Sequence, residues 1–102
     1  MCGIAGSFNI SGDCLKEDNF NKNILSVLNH RGPDDNGSWR SQDNRTLLFH
    51  NRLSIIDLSS AGHQPMHSNN DRYVISFNGE IYNHEEIRKE LLKTKLIFNG
   101  SS

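Results

Sequence analysis

A cysteine stands second in this chain, inside the opening MCGIAG. If Met1 is excised, which a small second residue permits, Cys2 carries a thiol nucleophile together with a free α-amino group. Such amines ordinarily titrate at about 7.7–8.0. One residue would then supply both nucleophile and base: the amine takes the thiol proton, directly or through water, and later returns it to a leaving amine. A cysteine can equally be a small buried apolar residue, and position alone leaves both roles open. A second candidate is FNGEIYN, where Asn78 and Gly79 follow the apolar run YVISF. The Asn side-chain amide and a backbone N–H that Gly lets approach a ligand can together form a two-donor pocket for a developing oxyanion. The commoner use of an Asn-Gly pair is a plain turn. The third is HNRLSIID, in which Arg52 ends one apolar run and precedes another. Held between two β elements, its guanidinium could meet a carboxylate in two parallel hydrogen bonds, or it could simply lie over the sheet rim.

The remaining reactive side chains give less. His63 and His67 flank Pro65, which rules out a helical pair of metal ligands, and His30, His50 and His84 lack ligand spacing. They read as loop residues or structural hydrogen-bonders, and no metal site is expected. Cys14 reads as a bystander thiol at the start of a helix. Two cysteines make no disulfide framework. With 11 basic and 12 acidic residues scattered over 102 positions, the net charge of -1 leaves no basic footprint for nucleic acid. The N-terminus lacks the pattern of a signal peptide and no run reaches membrane length, so a cytoplasmic protein with no membrane partner is expected.

These groups must be positioned by elements that the pattern outlines. GIAGSFNI reads as a first strand, followed by a turn at Ser11, Gly12 and Asp13. Phe20, Ile24, Val27 and Leu28 share one face of a helix with Glu17 and Asp18 in its first turn and Gly32-Pro33 beyond its end. HRGPDDNG reads as a surface loop. GSWRS and TLLFH, separated by QDNR, suit a hairpin; LSIIDL is an apolar run ending in the loop SSAGHQP; YVISFN is a strand. Asn83 is placed to cap a second helix with Glu86 as its partner, and Ile87, Leu91 and Leu92 form its buried stripe. KLIF reads as a last strand. An exposed edge strand so close to the end of the chain is poorly protected, which suggests a fragment.

In this order and spacing, MCGIAG, HRGPD, RLSIIDL, GHQPM and NGEIYNH closely resemble the N-terminal glutaminase domain of class II glutamine amidotransferases, specifically of the asparagine synthetase branch. The resemblance runs over the whole chain, as a partial domain spanning 1–102. It implies an α+β fold, the N-terminal-nucleophile α/β/β/α sandwich with antiparallel sheets. It implies that Cys2 attacks the glutamine side-chain amide, releasing ammonia and leaving a thioester for water. By the same resemblance, Arg52 binds the substrate α-carboxylate, and Leu53, Ser54, Ile55 and Ile56 line the pocket through backbone groups. Asn78 and Gly79 donate to the oxyanion, and Glu80 lies in the same substrate-contacting segment. Family members carry an aspartate for the substrate ammonium just after NGSS, where this chain stops. Glutamine is the implied substrate, and no cofactor is expected in this domain. ATP and Mg are expected in a synthetase domain absent from this chain, which would pass ammonia to aspartate, the full-length enzyme forming a homodimer. Amidation of another carboxylate or a sugar, and a non-catalytic truncated remnant, are the alternative readings.

Overall fold

The computed structural model describes residues 1–12 and 18–98. Its main sheet has three strands: β1 (Gly3–Phe8), β2 (Asp35–Arg40) and β3 (Thr46–Arg52). Their order is β1-β3-β2, all antiparallel, so β3 is paired along both edges. Helix α1 (Asp18–Leu28) connects β1 to β2. The QDNR turn closes the β2–β3 hairpin, with Ser41 Oγ accepting from the backbone N–H groups of Arg45 and Thr46 at 3.2 and 2.9 Å. Asp43 accepts from the Ser41 hydroxyl at 2.6 Å, and this bond, helped by the Arg45 N–H, holds its carboxyl below the usual carboxylate range.

Alternation along β3 sorts its side chains onto two faces. Leu47 and Phe49 point toward α1 and are buried against Ala5, Phe20, Ile24 and Leu25. The Phe20 and Phe49 rings meet edge to face at a centroid distance of 6.4 Å, the arrangement their quadrupoles favour. Asn51 follows on this face and donates to the Leu25 carbonyl at 3.1 Å, so a buried polar group ties strand to helix. His50 and Arg52 lie on the other face, toward the segment that follows β3. There a short antiparallel pair, β4 (Met66–His67) and β5 (Val74–Ile75), forms a second sheet, and α2 (His84–Leu92) comes after it. Trp39 of β2 meets His67 of β4 edge to face, linking the two sheets.

The first strand, the first helix and the hairpin lie where the hydrophobic pattern places them, and the fold is α+β with antiparallel sheets, but on the helix Leu25 packs on the core with Phe20 and Ile24 while Val27 is exposed. Other expectations need correction. The HRGPDDNG loop ends at Asp34, not at Gly37: Asp35, Asn36 and Gly37 are already paired in β2 with Arg52, Asn51 and His50. Gly32, within this surface loop, is buried. YVISFN is a strand at Val74 and Ile75 only, because β4 offers two residues to pair with. No strand forms at Leu96, Ile97 and Phe98. LSIIDL has no β structure and exposes Ile55, Ile56 and Leu58, so Arg52 ends a strand rather than lying between two. Asn83 precedes α2 but makes no side-chain cap, and α2 buries none of its residues: Ile87 and Leu92 are exposed and Leu91 half-buried. Cys14, Asp13, Glu17 and the final NGSS lie outside the described residues.

Two stability predictions follow from the packing of β3. A Cβ on Gly32 would sit 2.5 Å from the Arg52 carbonyl carbon and collide with the Asn51 carbonyl. Backbone cannot swing aside as a side chain does, so Gly32→Ala should cost about 1–3 kcal/mol, as overpacking generally does, read as a lowered urea midpoint. His50 is fully buried, and burial pushes its pKa below the ordinary 6.5, against a partial upward pull from the Phe77 carbonyl. The unfolded chain therefore binds a proton on this imidazole more readily than the folded one. This leaves stability unaffected well above pH 6.5 and lowers the stability of wild type relative to a non-titrating variant as pH falls below that value, until the folded imidazole itself protonates. The slope can reach about 1.4 kcal/mol per pH unit. Urea titrations of wild type and His50→Gln between about pH 7 and pH 5 should diverge in this sense; parallel curves would refute it.

Candidate functional site

The thiol of Cys2 lies just before β1, and the antiparallel register Gly3–Asn51 brings it beside the end of β3. There the Leu53 N–H donates to Cys2 Sγ at 3.3 Å, and the Leu53 carbonyl lies 3.8 Å from the same sulfur. Cys2 is half-buried while Met1 is exposed. The neighbouring Arg52 occupies the other side of this junction. Its side chain is 92% covered, and its guanidinium donates to two backbone carbonyls: Nη1 to Ser59 at 2.6 Å and Nη2 to Asp57. The guanidinium lies against Gly62, where an added Cβ would crowd Nη2 and force the arginine side chain to shift. Two of five N–H donors are thus used for orientation. A cavity of about 270 Å³ opens beside it, lined by Asp34, Asp35, Arg52, Ser54, Leu58, Ser59, Ser60 and His63. Basic and acidic groups therefore face one small space. A wider groove along α2 shares no residue with it.

The HRGPD motif forms a bracket that the sequence reading took for a plain loop. Arg31 Nε donates to the Cys2 carbonyl at 3.3 Å. Gly32 lies against the Asn51 and Arg52 backbone. The Asp34 N–H donates to the Arg52 carbonyl at 3.0 Å, and its carboxylate accepts from the Ser54 N–H at 2.8 Å. Three residues of one motif thus fasten the thiol-bearing residue to the segment after β3. Gly32 between Arg31 and Pro33 is the available signal, since close backbone approach is one reason for glycine in a loop.

In the run Leu53 to Ile56, the N–H groups of Leu53 and Ser54 are already engaged, by Cys2 and Asp34 respectively. Ile55 and Ile56 are more than 70% exposed. Asn78 is half-buried, whereas Gly79 and Glu80 are exposed. The hydrogen bonds recorded for the thiol, among the described residues, all go to Leu53. Asn78 and Gly79 connect to the sheet instead through Phe77, whose carbonyl accepts from His50 Nε2 at 3.2 Å and whose ring lies beneath Gly79. The structure brings Cys2, Arg52, Leu53 and Ser54 into one junction and holds the Asn-Gly pair on a neighbouring segment.

His63 and His50, expected to be loop residues or structural hydrogen-bonders, both bond across elements. His63 Nδ1 meets the Asp35 carboxylate at 2.6 Å, tying the loop before β4 to β2. Among the described residues no group of three or more His, Cys, Asp or Glu side chains is arranged to hold a metal ion, and no helix is long and apolar enough to cross a membrane.

The whole of 1–102 matches the family model described as a glutamine amidotransferase domain. Relatives include asparagine synthetase B (glutamine-hydrolyzing) of Escherichia coli, 41% identical over 90 residues that cover 88% of this chain and 16% of that protein. A probable asparagine synthetase (glutamine-hydrolyzing) of Dictyostelium discoideum is 39% identical over 94 residues, covering 92% and 16%. Asparagine synthetase (glutamine-hydrolyzing) 1 of Arabidopsis thaliana is 41% identical over 95 residues, covering 93% and 16%. The chain spans about one sixth of the length of these relatives.

Proposed function

The chain belongs to the glutamine amidotransferase domain family, and on that premise we propose that it is the glutaminase portion of an asparagine synthetase, with Cys2 as its nucleophile. One observation carries this reading: the Cys2 thiol, just before β1, accepts from the Leu53 N–H, and Leu53 directly follows buried Arg52 at the end of β3, so the thiol-bearing residue and the arginine flank one junction.

With Met1 removed, the Cys2 amine accepts the thiol proton and sulfur attacks the side-chain carbonyl carbon of glutamine. The tetrahedral oxyanion is met by donors from Asn78 and Gly79, with Glu80 in the same substrate-contacting segment. The amine passes its proton to the leaving nitrogen, ammonia departs, and a γ-glutamyl thioester remains. Water adds to that thioester through a second oxyanion, and expulsion of the thiolate gives glutamate. Arg52 pairs with the α-carboxylate through the N–H groups that Asp57 and Ser59 leave available, while the backbone from Leu53 to Ile56 walls the pocket. The acidic lining from Asp34 and Asp35 favours the substrate ammonium. On this reading the domain completes an N-terminal-nucleophile sandwich. ATP and Mg act in a synthetase domain that receives the ammonia and amidates aspartate, in a cytoplasmic, homodimeric enzyme. The relatives are asparagine synthetases (glutamine-hydrolyzing), which supports an asparagine product over an amidated sugar or another acid.

Glutamate release by the full reading frame tests the assignment. Intact mass should show Met1 removed, and Cys2→Ala should abolish release. Asn78→Ala should lower kcat by ~10²–10³, the usual cost of one oxyanion donor, with KM for glutamine little changed. Undiminished release from Cys2→Ala would sink the nucleophile.

A further inference from the structure

Gln64, in the loop before β4, grips the backbone beside the Asn78–Gly79 pair. Its carboxamide meets Phe77 twice: Oε1 accepts from the Phe77 N–H at 2.7 Å, and Nε2 donates to the Phe77 carbonyl at 3.3 Å. This is the pattern by which a neighbouring strand would bind a peptide unit, here supplied by one side chain. The same carbonyl accepts from buried His50 Nε2 at 3.2 Å, and one residue earlier the Ser76 hydroxyl donates to the Phe49 carbonyl at 2.9 Å. Since a carbonyl only accepts, the neutral imidazole carries its proton on Nε2.

Gln64 is itself well seated. Gly37 of β2 approaches its carbonyl so closely that a Cβ at 37 would collide with it, and would lie 2.8 Å from His63 Nε2. His63 is bonded in turn to Asp35 of β2. Phe77 passes the constraint on: a Cβ on Gly79 would lie 2.9 Å from its ring, and Asn78 follows it directly. The segment from Ser76 to Glu80 belongs to no strand or helix, so side chains do the work that regular pairing does elsewhere.

We propose that Gln64 is a positioning residue for glutamine hydrolysis, its carboxamide holding the Phe77 peptide so that Asn78 and Gly79 present their donors to the oxyanion. This rests on the role given above to that pair. Donors stabilise an oxyanion only when they lie about 2.7–3.1 Å from where it forms. Gln64 touches no reacting atom, and its effect falls on turnover, not on glutamine binding or on the thiol.

The test uses the full reading frame with Met1 removed, comparing wild type, Cys2→Ala, Gln64→Leu and Gln64→Glu. Three quantities are read: kcat and KM for glutamate release, and the rate at which iodoacetamide alkylates Cys2. That alkylation joins sulfur to carbon with loss of iodide and forms no oxyanion. Gln64→Leu, which loses both bonds, should lower kcat roughly 10–100-fold, less than the ~10²–10³ of deleting a donor. KM and alkylation should stay within about threefold of wild type. Gln64→Glu keeps the acceptor and nearly the same size, and should show the same split if the leucine variant does not fold. A kcat within threefold of wild type in both variants, or a parallel change in kcat, KM and alkylation, overturns the positioning role alone. Absence of Cys2-dependent release from the wild type overturns the glutaminase reading and the role of Gln64 with it.

Discussion

The end of β3 places three polar side chains, His50, Asn51 and Arg52, in consecutive buried positions, and most of the structure answers to that burden. Burial of a polar group without a partner is costly, and burial of a charge more so. Pleating sends Asn51 to one face and its neighbours to the other, so the partners must come from different directions. Helix α1 supplies a carbonyl for Asn51. The turn before Gly62 supplies two for Arg52, and the segment after β5 supplies one for His50. The bonds from Arg52 and His50 fix stretches of chain outside the core of Leu47 and Phe49, whereas the bond from Asn51 reinforces a helix already packed on it.

The same strand end organises the candidate site. Because β1 pairs with β3 from its first residue, Cys2 arrives beside Leu53 without any long connection. The bracket formed by Arg31, Gly32 and Asp34 then joins the residue before β1 to the residues after β3. A thiol near a chain terminus would otherwise fray, since terminal residues are poorly ordered unless tied down. Here the tie is made by backbone and side-chain bonds from a loop, not by a hydrophobic cover.

How much of this was legible in the sequence depended on which kind of constraint acted. The Phe20–Ile24 spacing and the alternation through TLLFH gave the helix and the central strand, because each reflects burial against the same small core. The stripe Ile87, Leu91 and Leu92 has the same helical spacing, yet α2 buries none of it. Periodicity states which residues share a face, and says nothing of whether a surface comes to meet that face. YVISF alternates well, but strand length is set jointly with the partner, and β4 is two residues long. HRGPD was misjudged for the opposite reason: turn-forming residues were taken as a sign of exposure, when Gly32 is there because the β3 backbone passes against it. The candidate residues were legible one by one. Their grouping was less so, since the bonds that join Cys2 to Leu53 and Ser54 to Asp34 are made by backbone N–H groups, which carry no sequence signal.

The two halves of the candidate site are held by different means, and the difference suits what each must do. Cys2 and Arg52 sit at strand ends, where paired neighbours fix the backbone and the intervening distance is set by sheet geometry. Asn78 and Gly79 stand on irregular backbone, where an N–H and a side-chain amide can be aimed at one point. In regular β structure successive N–H groups point to opposite edges and successive side chains to opposite faces, so the two donors would diverge. Irregular backbone permits convergence but gives up the ladder that would hold it. Gln64, His50 and Ser76 replace that ladder bond by bond, each anchored to β2 or β3. The central hairpin is therefore the common reference for both halves. A shift at its end would displace the thiol, the guanidinium and the Asn78–Gly79 segment together rather than one against another.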